Sequence, residues 1–151
     1  MTSMNDPIET IRRHVEAEGC HVEILADDSG EVVCAHTIGL ARDGRHPELV
    51  VFGLDAEQSL ALFDAAIEEI EGGRVFAAGQ QYEGLVQHYP VALREVAQPN
   101  RAIFERAVAF HGSADFPMLQ VFWPDKQGRF PWDPGVHEAV RADQPSLEVG
   151  R

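Results

Sequence analysis

The sequence predicts an α+β fold, with a mainly antiparallel sheet or a partly closed barrel and about three flanking helices. Three observations carry that expectation. Apolar strand-like runs are joined by turn chemistry, as at Asp27-Asp28-Ser29-Gly30, which favours hairpins over crossovers. Helical spacing recurs in three separated segments, each with its own start or stop signal. Strands do not alternate regularly with helices, as a doubly wound parallel sheet would require.

The elements follow in chain order. Asp6-Pro7-Ile8-Glu9 opens a helix: Asp6 caps free amides, Pro7 suits the first helical position and Glu9 completes a capping box. Ile8, Ile11 and Val15 then share a face, and Gly19 ends the helix. Residues 20–27 alternate, with Cys20, Val22, Ile24 and Ala26 on one side and His21, Glu23 and Asp27 on a wet side. Residues 31–40 return as the second hairpin strand, on which Val32, Cys34, His36, Ile38 and Leu40 share a face. His36 thus points where its apolar neighbours point. The loop 42–47 leads into 49–54, apolar on both faces and therefore central.

Asp55 caps the next helix, with Leu60, Phe63, Ile67 and Ile70 as its buried stripe and Gly72-Gly73 as its stop. Residues 74–81 carry no firm pattern. Residues 85–97 read as a strand, at an edge or bulged because Pro90 cannot donate to a ladder. Pro99-Asn100 opens a helix running to Gly112, with Ile103, Ala107 and Phe110 in one row and Phe104, Val108 and His111 in the next. The last strand, 116–124, is apolar except at Gln120. The proline-rich stretch 129–135 wraps the surface as an ordered loop, and the tail from about 136 is expected to fray.

At 151 residues the chain is expected to be one domain, and 44% apolar with 25% charged residues is an ordinary globular composition. The net charge is -13, and Lys126 is the lone lysine among twelve basic residues. Such a surface repels phosphate backbones, so no nucleic-acid partner is expected. No apolar run approaches the roughly 20 residues of a membrane span, and the N-terminus lacks a leader pattern, so no membrane partner and a cytoplasmic location are expected. Cys20 and Cys34 lie in apolar strands and read as buried reduced thiols in preference to a disulfide.

Several segments together point to a family: Thr37-Ile38-Gly39-Leu40, His46-Pro47-Glu48-Leu49-Val50, and Asp115-Phe116-Pro117 through Leu119-Gln120 to Trp123-Pro124-Asp125, with Gly128 and Phe130-Pro131-Trp132. They resemble the bacterial family catalogued as domain of unknown function 4262, from about the first helix to Pro134. The resemblance implies no activity, substrate or catalytic residue. In that family the position before Thr-Ile-Gly-Leu is often aromatic; here it is His36, which implies a more polar surrounding. In outline only, Thr37, Gly39 and the run 47–54 also resemble flavin-reductase-type split barrels, without a flavin motif.

The candidate chemistry centres on His36, His46 and Glu48. Imidazole with carboxylate suits a transition metal, and His46 and Glu48, two apart, would face one way on a strand. No helical two-histidine motif fixes a pair of ligands, so no metal site is assigned, and the cofactor question stays open. A shared cleft would make the same residues an acid-base set; without one, His46 holds the turn before Pro47 and Glu48 binds loop amides. Cys34 and His36 lie ~6.5 Å apart along a strand, too far for a thiol-imidazole pair. Gln120 needs amide partners if buried. Trp123, Trp132, Phe122 and Phe130 either latch the terminal loop or face a ligand.

The reading from sequence is therefore a small molecule bound between the sheet and the C-terminal aromatic loop. His36, Thr37, His46, Glu48, Gln120 and Trp123 are its candidate contacts. The alternative is a protein-interaction module, an immunity or regulatory partner, using an acidic and aromatic surface. Homodimerisation is compatible with either.

Overall fold

A computed structural model describes residues 6–148. The chain forms α1 (Pro7–Glu18), β1 (His21–Ala26), β2 (Val32–Ile38), β3 (Glu48–Phe52), α2 (Ala56–Glu71), β4 (Gln81–Val86), β5 (Tyr89–Glu95), α3 (Gln98–Arg101), α4 (Glu105–His111), β6 (Met118–Phe122) and α5 (Glu138–Asp143). One six-stranded sheet has the order β1-β2-β3-β6-β5-β4. β3 and β6 run parallel, and the other neighbouring pairs are antiparallel. The fold is α+β, as expected, with a mixed sheet. The barrel alternative fails, because β1 and β4 each keep a single neighbour and the sheet stays open. The parallel pair arises because α2, the β4–β5 hairpin, α3 and α4 intervene before β6, the long crossover that parallel strands need.

Helices cover both faces. On one face α2 sets Leu62, Phe63 and Ala66 over Ala35, Leu49, Val51 and Val121. On the other, α1 and α4 set Ile11, Val15, Phe104 and Ala107 over Cys34, Ile38, Val50 and Met118. β3 and β6 are therefore buried throughout, which explains their unbroken apolar sequence. Among the described residues no helix is long and apolar enough to cross a membrane.

Asp6 caps α1 through the Ile8 amide at 2.9 Å, while Glu9 reaches Arg12 at 3.4 Å. Asp55 and Gln58 form a full capping box on α2. The buried stripe of α2 is Ser59, Leu62, Phe63 and Ala66, and Leu60 is 41% exposed. Small Ser59 and Ala66 sit where the helix approaches the sheet, so weighting the large residues misplaces the stripe. The run expected as one strand over 85–97 is a hairpin, turned at His88 with φ 75, and Pro90 lies outside the paired register with β6. The helix expected after Pro99 breaks at Phe104, whose φ/ψ of -92/77 turns its ring into the core and leaves Ile103 55% exposed.

Of the tail expected to fray from about 136, the described part carries α5 and packs Leu147 on the α1/α4 face, while 149–151 lie outside the described residues. Two amide side chains hold it. Gln144 Oε1 accepts from the Trp123 amide at 2.9 Å and its Nε2 donates to the Trp123 carbonyl at 2.8 Å. Gln120 Nε2 donates to the Pro145 carbonyl at 2.7 Å, and its Oε1 accepts from the Leu147 amide at 3.0 Å. The buried glutamine is thus satisfied by backbone, standing in for a missing strand. Gln120→Ala is expected to cost about 2 kcal/mol and to speed exchange of the Leu147 amide selectively. Hydrogen exchange unchanged at Leu147 would show that the strap is held by other contacts.

Candidate functional site

The loop that leaves β2 and returns at β3 is built on one carboxylate. Glu48 is fully buried. Its Oε1 accepts from Thr37 Oγ1 at 2.7 Å and the Leu40 amide at 3.2 Å. Its Oε2 accepts from the Gly39 and Ala41 amides at 2.8 and 3.1 Å and from His111 Nε2 at 2.7 Å. Thr37 Oγ1 accepts in turn from the Leu49 amide at 2.9 Å. Gly39 leaves the strand at φ +115, so amides that lose the ladder find the carboxylate instead. The same turn carries Leu40 out of the face it was expected to share with His36 and into the α2 side of the core.

His46 does not join this set by any hydrogen bond among the described residues. Its Nδ1 donates to the Pro47 carbonyl at 2.8 Å and its Nε2 accepts from the Phe76 amide at 3.0 Å. It thereby pins the otherwise irregular segment 74–80. Burial holds its pKa below the ordinary 6.5, consistent with a ring that must accept at Nε2.

His36 faces a different space. In register across the sheet run Glu23, His36, Val50, Gln120 and Arg94. His36 is 1% exposed, and its ring lies 4.8 Å from that of Phe104. Nδ1 donates to the Thr37 carbonyl at 3.2 Å, which leaves Nε2 as an acceptor with no partner among the described residues. Burial pushes its pKa below 6.5, so the ring is neutral near pH 7. His36 lines a cleft of about 410 Å³ with Glu23, Leu25, Ile103, Glu105 and Arg106.

Glu23 was expected on a wet face but is 8% exposed, with α1 packed along β1 and Arg106 of α4 reaching its carboxylate. Its carboxylate is held by His21 Nε2 at 3.0 Å and Arg106 Nη1 at 2.5 Å. His21 Nδ1 meets His14 Nδ1 at 2.7 Å. Ring centroids 4.9 Å apart with planes 22° from parallel put the two imidazoles edge to edge, sharing one N–H···N bond.

The remaining candidates lie apart. Trp123 donates Nε1 to the Phe52 carbonyl at 2.7 Å. A cavity of about 300 Å³ is lined by Arg94, Phe122, Trp132 and Arg141 among others, and neither His36, Gln120 nor Trp123 is in its lining. Its charged groups are engaged: Arg94 sits 3.5 Å over the Trp132 ring and 3.1 Å from Glu148, and Arg141 Nε donates to the Pro131 carbonyl at 3.0 Å. The structure thus joins Thr37 with Glu48, places His36 in the neighbouring cleft, and separates His46, Gln120 and Trp123 from both. Val50 stands between His36 and Gln120, about 10 Å apart by two strand spacings. Among the described residues no group of three or more His, Cys, Asp or Glu side chains is placed to hold a metal. Cys20 and Cys34 are free and buried, their thiols pushed up to about 12 and about 11 by desolvation, and so unreactive.

The segments that make the Glu48 clamp and the aromatic loop both lie within the stretch that matches a known family. The chain belongs to the family described as Domain of unknown function (DUF4262), matched over residues 14–137. No curated protein and no solved structure matches it. The matched span includes His14, His21, Glu23, His36, Glu105, Arg106 and His111. Sequence reasoning missed Glu23, Arg106 and His111 as site residues. The usable signal was the His21-x-Glu23 pair on one strand face, which needs a cationic partner if it is covered.

Both lowered histidines destabilise the fold as they protonate. Each folded-state pKa lies below 6.5, so below about pH 6.5 the unfolded chain binds more protons and stability falls. Their contribution is expected to be complete above that pH and lost as pH falls further. Urea midpoints measured from neutral to mildly acidic pH check this, and the slope should shrink in a His36→Phe, His46→Asn variant.

Proposed function

We propose that the protein binds a small polar molecule in the cleft between the β1/β2 face and the start of α4, with His36 as its floor. The observation that supports this best is His36 Nε2, an acceptor without a hydrogen-bond partner among the described residues, on a residue only 1% exposed that lines the cleft. An acceptor that reaches solvent only through a cleft is a place for a ligand donor or an ordered water. Glu23 and Arg106 add fixed charges beside it, and Leu25 and Ile103 add apolar wall. At about 410 Å³ the space falls in the range of ligand pockets, roughly 300–1,000 Å³. The aromatic-loop cavity is the weaker candidate because its arginines already have partners.

The test is a thermal-shift and chemical-shift screen of small polar metabolites against the wild type and His36→Phe. A ligand at 100 times its Kd should add about 2.7 kcal/mol of stability and move the His36 ring resonances. Hits that bind His36→Phe equally well would remove this cleft from consideration.

A second reading, an interaction module, draws on the outer face of α2. Glu57, Asp64, Glu68 and Glu71 are exposed at helical spacing along it, ending beside Val75, 65% exposed. A basic partner fits that stripe, and Glu68→Lys with Glu71→Lys should abolish any salt-sensitive complex without changing stability by more than about 0.5 kcal/mol.

A further inference from the structure

The polar capacity left unused around the His36 cleft is unevenly distributed. His36 can only accept there, because Nδ1 is committed to the Thr37 carbonyl. Glu23 accepts from His21 on one oxygen and from Arg106 on the other. Arg106, the one guanidinium lining the cleft, is therefore turned toward Glu23. Glu105 lines the same space and has no hydrogen-bond partner among the described residues. The lining holds the two carboxylates of Glu23 and Glu105 against the single guanidinium of Arg106, on a chain of net charge -13. An entering carboxylate or phosphate would meet a lone pair at His36 and the like charges of Glu23 and Glu105, and would share with Glu23 the one guanidinium of the lining. An entering donor with positive charge meets an open acceptor and an unpaired carboxylate.

We propose that the occupant of this cleft is a primary or secondary amine with a short apolar body. Its N–H donates to His36 Nε2, its charge lies against Glu105 and Glu23, and its hydrocarbon rests on Leu25 and Ile103. The inference rests on the cleft being a ligand site at all, and it adds the chemical class. Ile103 is 55% exposed at the rim although it is a large aliphatic residue, which suits a wall that a ligand covers.

The experiment uses a matched series, a short alkyl amine, its alcohol and its carboxylic acid, titrated into the full chain while His36 ring signals and backbone amides of 23–26 and 103–106 are followed. The amine is expected to bind at least tenfold more tightly than the alcohol, and the acid to leave those signals unmoved. His36→Phe should weaken the amine tenfold or more. His36→Gln, which keeps an acceptor in a side chain of similar length, should retain part of the affinity, and Glu105→Gln should lose several-fold. Each variant is first shown to share the wild-type denaturation midpoint within error. Tighter binding of the acid or alcohol than of the amine would overturn the class while leaving the cleft as a site. No movement of His36 with any of the three at millimolar concentration would overturn the amine proposal, and failure of the wider metabolite screen as well would overturn the cleft reading itself.

Discussion

Glu48→Ala is expected to be the most damaging single substitution in the chain, costing about 4 kcal/mol or more and leaving little folded protein at 37 °C. Removing the carboxylate orphans the Thr37 hydroxyl, the amides of Gly39, Leu40 and Ala41, and His111 Nε2 at once. Each buried donor left unpaired costs about 1–3 kcal/mol, from a total stability of order 5–15 kcal/mol. Water entering the cavity would recover part of this, which is why the simple sum is too large. Glu48→Gln is expected to cost nearly as much, because an amide nitrogen would be turned toward donors that need an acceptor. Urea denaturation of both variants decides the point. A fully stable Glu48→Gln protein would contradict the clamp and return Glu48 to consideration as a reacting group.

How far the sequence led depends on the residue. The α+β class, the hairpin at Asp27 to Gly30, the Asp55 cap and the central place of β3 all follow from local chemistry that acts within a few residues, and each is present. The parallel pairing of β3 with β6 was not legible, because nothing in either strand distinguishes a parallel from an antiparallel neighbour once both faces are covered. The roles of His46 and Gln120 were split in advance between ligand and backbone bonding. The partners that decide their hydrogen bonding, Phe76 for one and Pro145 with Leu147 for the other, lie 25 to 30 residues away. The docked tail was misjudged for the same reason, since its stability comes from amides presented by β6 and the segment after it, not from its own composition. The Glu48 clamp was half visible: a carboxylate binding loop amides was foreseen, but His111, 63 residues on, was not.

Gly39→Ala is expected to be the second largest effect, about 3 kcal/mol, and its two causes can be separated. At φ +115 the backbone sits in a region that essentially only glycine enters, a strain of about 1–3 kcal/mol for any other residue. A methyl there would also lie 2.8 and 2.9 Å from the two Cγ atoms of Val15. Val15 is β-branched in the middle of α1 and 1% exposed, so it has one good rotamer and no room to retreat. Gly30→Ala is the control: φ is +90 and nothing lies within 4 Å of the added carbon, so only the backbone cost of about 1 kcal/mol should appear. A Val15→Ala background removes the collision and leaves the strain. The double-mutant cycle should therefore show a coupling of about 1 kcal/mol or more between positions 15 and 39. Zero coupling would mean that the whole cost of Gly39→Ala is conformational and that the contact of Val15 with the turn adds nothing to it.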